Sequence, residues 1–280
     1  MRITVASAFS KNNSGGNKAG VFLESEGLSR TQKMQISKEL GYAETAFVSA
    51  PTEPQADFKF EYFTPSEEVP LCGHATVAAF TVLREKGLLT KENIRLQTKE
   101  ATLDIVVTAD KVLMQQNNPI FAETLQPDEF KNCFDIEVTN ESLPIQVVST
   151  GLRDIMLPIK SRTTLDAMNP NFTEITTISE KYDTVGIHAF VIDNGKIVCR
   201  NFAPRYHVPE ESATGTSNCA LACYLYHNGI IKQNNYTFEQ GYSLNSPSVI
   251  NVTLATNGDD ITKVVVGGSG YVVEDKVVKI

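Results

Sequence analysis

Residues 62–87 read YFTPSEEVPLCGHATVAAFTVLREKG, a charged loop followed by a long apolar run. No formal charge occurs between Gly73 and Leu83, although a cysteine and a histidine stand at the start of the run. A segment that is apolar around its whole circumference predicts a buried helix. Gly87 follows at the position where a left-handed residue ends a helix. This stretch therefore predicts a loop that opens into an interior helix.

The same order of residues occurs a second time, half a chain later. Each copy has an alternating strand, a Pro-containing loop, a glycine and a helix free of charge. The matched pairs are Phe63 and Phe202, Pro65 and Pro204, Val69 and Val208, Pro70 and Pro209, Gly73 and Gly215, Ala78 and Ala220, Leu83 and Leu225, and Gly87 and Gly229. The repetition predicts a chain built from two similar halves.

Short strand-like segments outnumber helices along the rest of the chain. Period-two or apolar runs such as HAFVID, VINVTL and KVVVGG predict strands, and Ser29 with Gln32 forms a capping-box pattern that starts a helix ended by Gly41. We expect an α+β protein with two sheet-rich halves, each wrapped around one central helix. The predicted halves are residues 1–118, joined by a C-terminal strand at 271–280, and residues 119–270.

Charge and hydropathy exclude several classes of partner. The 280 residues carry a formal net charge of -8, with a pI near 5.1 and no cluster of basic residues. This balance disfavours nucleic acid and anionic membranes, which attract positive surfaces. No apolar run approaches the ~20 residues that span a bilayer, and the start lacks the pattern of a signal peptide. A cytoplasmic location is expected.

The five cysteines, Cys72, Cys133, Cys199, Cys219 and Cys223, are odd in number and widely spaced. This pattern predicts reduced thiols and no disulfide framework. Cys219 and Cys223 lie four residues apart, but no second ligand pair accompanies them, so we interpret them as core residues of a helix. No nucleotide-binding glycine pattern follows a strand in the required form. The prediction is that the protein uses neither a metal nor another cofactor.

The two predicted helix starts have the features of an anion site. The N-terminus of a buried helix presents N–H groups without intrahelical partners and the positive end of the helix dipole. A carboxylate is the simplest ligand for such a site. Gly73 and Gly215 would let the backbone approach a ligand closely, and pseudo-symmetry would turn both starts toward one cleft. The alternative interpretation is that each glycine only permits a tight turn into the helix.

Several side chains near these starts have both a chemical and a structural interpretation. His74 at a helix start is expected to be a neutral imidazole that exchanges hydrogen bonds with a substrate, or else a local cap. Cys72 is either a thiolate nucleophile or a buried structural cysteine. Glu44 is either solvated at the start of the strand AETAFV or a desolvated general acid/base. Glu210 and Glu211 are either ordinary acidic residues before a helix or members of a proton-shuttling pair.

Five blocks of sequence together resemble the PhzF family of phenazine-biosynthesis-like isomerases and, more distantly, diaminopimelate epimerase. The blocks are AETAF, FTPSEEVPLCGHAT, STGLRDIMLP, FAPRYHVPEESATGT and EQGYSLNSPS, and the similarity runs from about Gly16 to Gly268. The resemblance implies the diaminopimelate-epimerase-like fold, with two pseudo-symmetric halves, a barrel-like sheet around a central helix in each, and the site in the cleft between them. It also implies a homodimer.

Carried over by position, the family's catalytic glutamate falls on Glu44 and its histidine on His74. The acidic residue before the second helix, usually Asp, falls on Glu211, and the hydroxyl after Gly215, usually Ser, falls on Thr216. The residues predicted to be catalytic are Glu44, His74 and Glu211, and those predicted to bind substrate are Cys72, Gly73, Thr214, Gly215 and Thr216. In the cysteine-dependent epimerases one thiol stands at each helix start. Thr214 takes the place of the second thiol, which argues against two-thiol racemisation.

The favoured hypothesis is a cofactor-independent isomerase of a small carboxylate-bearing metabolite, with Glu44 as the general acid/base. Glu44 would remove a proton from carbon and return it, while the two helix starts stabilise the developing negative charge. Two other hypotheses remain. One is a small-molecule-binding or protein-interaction module that kept the fold without catalysis, and the other is a hydrolase or epimerase that depends on Cys72.

Overall fold

Strands outnumber helices in the computed structural model, which describes residues 1–279. Within that range the strands are β1 (Arg2–Ala8), β2 (Asn17–Phe22), β3 (Thr45–Ser49), β4 (Phe58–Phe63), β5 (Glu68–Val69), β6 (Asn93–Gln97), β7 (Thr102–Val107), β8 (Val112–Gln116), β9 (Ile120–Leu125), β10 (Ile145–Ser149), β11 (Arg153–Pro158), β12 (Gly186–Asp193), β13 (Lys196–Ala203), β14 (Val208–Glu211), β15 (Asn235–Gln240), β16 (Ser248–Asn257), β17 (Asp260–Gly268) and β18 (Gly270–Val277). The α-helices are α1 (Arg30–Leu40), α2 (Gly73–Glu85), α3 (Arg162–Ala167), α4 (Phe172–Lys181) and α5 (Gly215–His227). Among the helices of this described range, none has the length and apolar character needed to cross a membrane.

The chain divides into two compact units. The first contains Met1–Gln115 together with the C-terminal segment from Gly267, and the second contains Gln116–Val266. In the first unit the strands pair in the order β18, β1, β2, β3, β4, β6, β7 and β8. Strand β1 is central and pairs with both β18 and β2, so the last strand of the chain completes the unit that the first strand begins.

The second unit has its own ladder of strands, in the order β9, β10, β11, β12, β13, β15 and β16. Strands β11 and β12 are parallel, and helices α3 and α4 lie between them in the chain. The sequence analysis did not identify these two helices. Each begins with a conventional cap, in which Ser161 accepts from the Thr164 N–H and Asn171 accepts from the Glu174 N–H.

The two units repeat one order of elements. In the first unit an antiparallel pair (β3, β4), a short strand (β5) and a 13-residue helix (α2) are followed by β6, which is parallel to β4. In the second unit β12, β13, β14 and the 13-residue helix α5 are followed by β15, which is parallel to β13. The duplication predicted from the sequence is confirmed at the level of topology.

Helix α2 is the buried centre of the first unit. Ten of its thirteen residues are buried, and it packs against β1, β2, β3 and β18. The Phe80 ring lies 4.9 Å from the Phe60 ring and meets the Phe58 ring edge-on at 6.2 Å, measured between centroids. Helix α5 is likewise buried at ten of its thirteen positions. The runs without charge correspond to these two helices, as predicted.

The start of β3 differs from the expected strand AETAFV. Strand β3 begins at Thr45 because Thr45 is the first residue that pairs on both sides, with Gly20 and with Phe63. Helix α1 has the predicted capping box at Ser29 and ends at the left-handed Gly41, whose φ is 73°. Glu44 therefore lies on the segment that connects α1 to β3, just before the strand.

We expect Phe80→Ala to lower the free energy of unfolding by about 3–5 kcal/mol, because the truncation removes a fully buried ring from the contact between α2 and the sheet. Urea unfolding followed by circular dichroism measures the change. Leu88→Ala is the control, since Leu88 follows the same helix but is 50% exposed, and it should change the stability by less than about 0.5 kcal/mol. A Phe80→Ala variant as stable as the Leu88→Ala variant would contradict this account of the core.

Candidate active site

Three of the predicted site residues meet in the first unit. Glu44 lies just before β3, Cys72 is the N-cap of α2, and His74 is the second residue of that helix. Glu44 Oε2 is 3.3 Å from His74 Nε2, and Cys72 Sγ is 3.5 Å from His74 Nδ1. The side chain of Glu44 is 19% exposed, but its Oε2 atom is buried and accepts no hydrogen bond from the described residues. A buried carboxylate oxygen without a donor is costly, and it marks a position where a ligand group can bind.

The imidazole of His74 is neutral near pH 7. Burial lowers the pKa of His74 below its ordinary value, and the nearby charge of Glu44 opposes that shift only in part. The sequence analysis predicted the neutral form from the helix dipole, and the structure gives burial as the dominant cause. Because the ring carries no charge at this pH, the contact between Glu44 and His74 is not an ion pair. A neutral imidazole can donate or accept a hydrogen bond.

The N-termini of the two central helices lack a cap that the other three α-helices have. Ser29, Ser161 and Asn171 each accept a hydrogen bond from the first turn of α1, α3 and α4. Neither Cys72 at the start of α2 nor Thr214 at the start of α5 makes a side-chain cap. The positive ends of α2 and α5 are thus without side-chain compensation, which favours an anion there.

Gly73 is the first residue of α2, and its position does not require glycine for reasons of backbone or packing. Its φ lies outside the left-handed region, and an added Cβ would meet only Met114 Cε at 3.5 Å, an ordinary contact. The interpretation that this glycine only permits a tight turn is therefore weakened. The absence of a side chain at Gly73 leaves space beside the first turn of the helix.

The predicted residues of the second unit lie around the start of α5. The Thr214 hydroxyl donates to Glu211 Oε2 at 2.5 Å. Gln240 holds the segment from Glu211 to Thr214 at both ends. Its Nε2 donates to the Glu211 carbonyl at 2.8 Å, and its Oε1 accepts from the Thr214 N–H at 3.2 Å. Gly215 and Thr216 are the first two residues of the helix, and the Thr216 carbonyl accepts from Thr150 Oγ1. The structure thus joins Glu211 to Thr214 through a direct hydrogen bond.

The two neighbouring glutamates have different surroundings. Glu210 receives two hydrogen bonds of 2.8 Å from the guanidinium of Arg200, and both side chains are about 10% exposed. Arg200 also donates to the carbonyls of Leu165 and Met168, so Glu210 belongs to a structural ion pair. Both glutamates lie in β14, before the helix begins. Of the two, Glu211 is the one that remains a candidate for chemistry.

A buried polar network behind Glu211 was not predicted from the sequence. The His188 ring accepts from Asn201 Nδ2 at Nδ1, 3.1 Å away, and its Nε2 lies 3.3 Å from Asn218 Oδ1. Because Asn218 Nδ2 donates to the Thr214 carbonyl and to Gln240 Oε1, its Oδ1 must accept. This pattern assigns the neutral Nε2–H tautomer to His188. The polar residues inside the charge-free helix α5 were the available sequence signal.

Asp154 ends the same network on the side away from Glu211. Ser217 Oγ donates to Asp154 Oδ2 at 2.7 Å and accepts from Asn201 Nδ2 at 3.2 Å. Burial raises the pKa of Asp154 to about 7, although the hydrogen bond from Ser217 opposes the shift. Burial also lowers the pKa of His188 to about 4, against the opposing effect of Asn218. Both groups are thus held in their neutral forms at mildly acidic pH.

The remaining cysteines lie apart from the candidate site. None of the five cysteines forms a disulfide in the structure. Burial raises the pKa of Cys133 and of Cys223 to about 12, and it raises the pKa of Cys199 and Cys219 well above the usual value. Cys219 and Cys223 are fully buried in α5, which fits the interpretation of the pair as core residues. Cys72 is thus the one cysteine that joins the candidate site residues.

Comparison with known proteins gives a consistent family and fold. A family model described as phenazine biosynthesis-like protein matches residues 6–276. "Uncharacterized isomerase YddE" of Escherichia coli K12 is 31% identical, covering 92% of this chain and 91% of its own length. The trans-2,3-dihydro-3-hydroxyanthranilate isomerase of Pseudomonas chlororaphis is 25% identical, with 91% of each chain covered.

Solved structures agree with the predicted fold class. A phenazine biosynthesis protein of the PhzF family from Bacillus anthracis aligns over 100% of this chain and 99% of its own, with a TM-score of 0.90 and 25% identity. A hydroxyproline epimerase from Agrobacterium vitis aligns over 99% of this chain and 91% of its own, with a TM-score of 0.59 and 15% identity, which bears on the fold alone. The predicted epimerase-like α+β fold is confirmed.

We expect Asp154 and His188 to contribute opposite pH dependences to stability. The folded pKa of His188, about 4, lies below its usual value of 6.5, so its contribution is complete above pH 6.5 and is lost as the pH falls toward 4. The folded pKa of Asp154, about 7, lies above its usual 3.8, so its contribution is present at low pH and is lost as the pH rises through 7.

Single variants separate the two effects when urea unfolding is measured from pH 4 to pH 7. As the pH rises, the free energy of unfolding of Asp154→Asn should increase relative to wild type, and that of His188→Gln should decrease. Each difference should change by about 1.4 kcal/mol per pH unit between the unfolded and folded pKa values of the replaced group. If the free energy of unfolding changes with pH equally in both variants and in the wild type, neither group has the protonation state assigned to it.

Proposed function

We propose a reaction for this chain from two premises: it belongs to the phenazine biosynthesis-like protein family, and it is an isomerase, as its curated relatives are named. The reaction is a cofactor-independent transfer of a proton within a small carboxylate-bearing molecule. The observation that carries this proposal is the buried Oε2 of Glu44, which accepts no hydrogen bond from residues 1–279 and lies 3.3 Å from a neutral imidazole at the uncapped start of α2.

Glu44 is the general acid/base of the proposed reaction. Its carboxylate takes a proton from a carbon of the substrate, and the electron pair of the broken C–H bond moves into the conjugated system that ends in the substrate's carboxylate or another acceptor. The same carboxyl group then returns the proton to carbon, elsewhere on the same face. A single base on a partly buried turn is sufficient for this transfer, because no second group has to receive the proton.

The start of α2 stabilises the negative charge that develops in the transition state. The N–H groups of its first turn and the positive end of the helix dipole point at the place where that charge forms. The uncapped Cys72 position and the absence of a side chain at Gly73 both support this role. His74, as a neutral ring, donates a hydrogen bond to a polar substituent of the substrate and orients it.

Glu211 and the start of α5 have a supporting role in the proposal, which rests on the resemblance of their sequence to the family pattern. A role for Glu211 in orienting a polar group, and for the backbone at Gly215 and Thr216 as N–H donors, stays a prediction from that resemblance. Thr214 is not a proton carrier to carbon, since its hydroxyl donates to Glu211 and a hydroxyl is a weak acid and base. This supports a mechanism with one base in preference to one with two thiols.

The proposed substrate class is a small organic acid with an acidified C–H bond. The relative from Pseudomonas chlororaphis is named for such a compound, trans-2,3-dihydro-3-hydroxyanthranilate, which makes that compound the first member of a test panel. Amino-acid carboxylates form the rest of the panel, because the uncapped N-terminus binds the carboxylate that all of them share.

We expect Glu44→Gln to abolish exchange of solvent deuterium into substrate while leaving binding in place, because the amide keeps the shape of the carboxyl group but cannot take a proton. The exchange is followed by mass spectrometry after incubation of the panel in deuterated water, and binding is followed by calorimetry. Glu39→Gln, an exposed position on α1, is the matched control and should exchange at the wild-type rate.

A Glu44→Gln protein that still exchanges deuterium would refute the assignment of the base. A wild-type protein that exchanges none of the panel would count against the substrate class. Either result is interpreted only after circular dichroism has established that both variants are folded.

We expect Gly73→Ala to reduce kcat/KM without reducing stability, because the added methyl group meets no protein atom closely and only crowds the ligand. Alanine in a helix should even stabilise the fold slightly, by up to about 1 kcal/mol. Gly87→Ala is the control at the other end of α2, where φ is 67° and an added Cβ is open. The free energy of unfolding of that variant should fall by about 1 kcal/mol or more, and its turnover should not change. The opposite result, with Gly73→Ala fully active, would contradict a ligand at the helix start.

A further inference from the structure

We infer that Glu44, Cys72 and His74 form a binding site for Zn²⁺, and that the bound ion switches the isomerase off. These three residues, here called the three-ligand cluster, are the one group of at least three metal-ligating side chains found in residues 1–279. The site itself follows from the geometry, and the inhibition rests on the role proposed for Glu44. The inference concerns regulation of the site and not a resident cofactor of the reaction.

The spacing of the ligand atoms is close to that of a zinc site. Tetrahedral zinc, with bonds of about 2.0–2.3 Å, holds its ligand atoms roughly 3.3–3.7 Å apart. His74 Nε2 is 3.3 Å from Glu44 Oε2 and 3.9 Å from Cys72 Sγ, and the ligand atoms of all three residues lie within 4.8 Å of one another. Cys72 Sγ lies nearer to His74 Nδ1, at 3.5 Å, so the cysteine side chain has to rotate toward Nε2 to complete the triangle.

The chemistry of the donors favours zinc over a hard cation. Thiolate and imidazole are ligands of Zn²⁺ and of softer ions, whereas Mg²⁺ and Ca²⁺ prefer all-oxygen sites. Glu44 Oε2 is buried and has no hydrogen-bond donor within the described part of the chain, so an approaching cation meets an unsatisfied acceptor. One thiolate and one carboxylate balance the two positive charges of the ion.

When the metal binds, Cys72 loses its thiol proton and gains a bond to the ion. The S–H bond of the thiol breaks, its proton passes to solvent, and the sulfur electron pair forms the bond to Zn²⁺. No oxidation or reduction occurs. The same ion holds the lone pair of Glu44 that the proposed reaction uses to accept a proton from carbon, so the metal-bound enzyme has no base.

The three ligands come from separate segments of the chain, so the spacing of residues in the sequence did not suggest a metal site. Cys72 and His74 are two residues apart, but Glu44 comes from the turn before β3, which is brought close only by the fold. The four other cysteines are buried away from this group, and burial raises the pKa of each of them. They are poor competitors for the ion.

Cobalt substitution tests the site directly on the full chain. The protein is titrated with Co²⁺ under reducing, oxygen-free conditions, and absorption is recorded for the intense visible bands of a tetrahedral site and for the near-ultraviolet charge-transfer band of a thiolate ligand. We expect one Co²⁺ per chain with both features, and displacement by one equivalent of Zn²⁺. Cys72→Ala should remove the charge-transfer band and weaken Zn²⁺ binding at least about tenfold. Cys133→Ala, which alters a buried thiol elsewhere, should leave the spectrum unchanged.

Glu44→Gln distinguishes failure of this inference from failure of the proposed reaction. Its spectrum should keep the thiolate band with weaker binding, whereas its deuterium exchange should be absent. Zn²⁺ at saturation should remove exchange in the wild type, and a chelator should restore it. The inference is overturned if Co²⁺ gives no charge-transfer band, or if Cys72→Ala binds Zn²⁺ as tightly as the wild type. Zinc that binds as described while exchange continues overturns the inhibitory role alone.

Discussion

The structure of this protein depends on the burial of two helices whose N-termini have no side-chain cap. A helix interior without charge can be covered completely by sheet, and α2 and α5 are each buried at ten of thirteen positions. Their first turns are then fixed in place by packing and not by capping side chains. Ser or Asn side chains accept from the first N–H groups of α1, α3 and α4, whereas Cys72 and Thr214 make no such cap at the starts of the central helices.

The protonation states around these helix starts follow from the same burial. His74 is neutral because its surroundings disfavour an imidazolium, and it lies beside a carboxylate without making an ion pair with it. In the second unit, His188 is neutral for the same reason, and the direction of its hydrogen bonds is set by Asn201 on one side and Asn218 on the other. The network ends at Thr214 and Glu211, so the position of Glu211 depends on the buried residues behind it.

Much of this architecture was predictable, and the parts that were not have physical reasons. Charge-free runs, proline loops and glycine stops are local signals, and they predicted α2, α5 and the duplication. The capping box at Ser29 predicted the start of α1 in the same way. The short distance from Glu44 to His74 is a tertiary contact with no local signal, and it was expected only through the family resemblance. The network behind Glu211 joins β11, β12, β13, β15 and α5. Hydrophobic periodicity within one segment of sequence does not indicate contacts between polar residues of different segments.

The central claim is that a carboxylate-bearing ligand lies at the start of α2 with one of its carbons against Glu44. A crystal structure of the Glu44→Gln protein with trans-2,3-dihydro-3-hydroxyanthranilate tests it most directly. The account predicts a ligand oxygen within hydrogen-bond distance of the backbone N–H groups at Gly73 and His74, and a ligand carbon about 3–3.5 Å from the side chain at position 44. A ligand bound elsewhere, or one whose carbon atoms all lie beyond the reach of that side chain, would contradict the account.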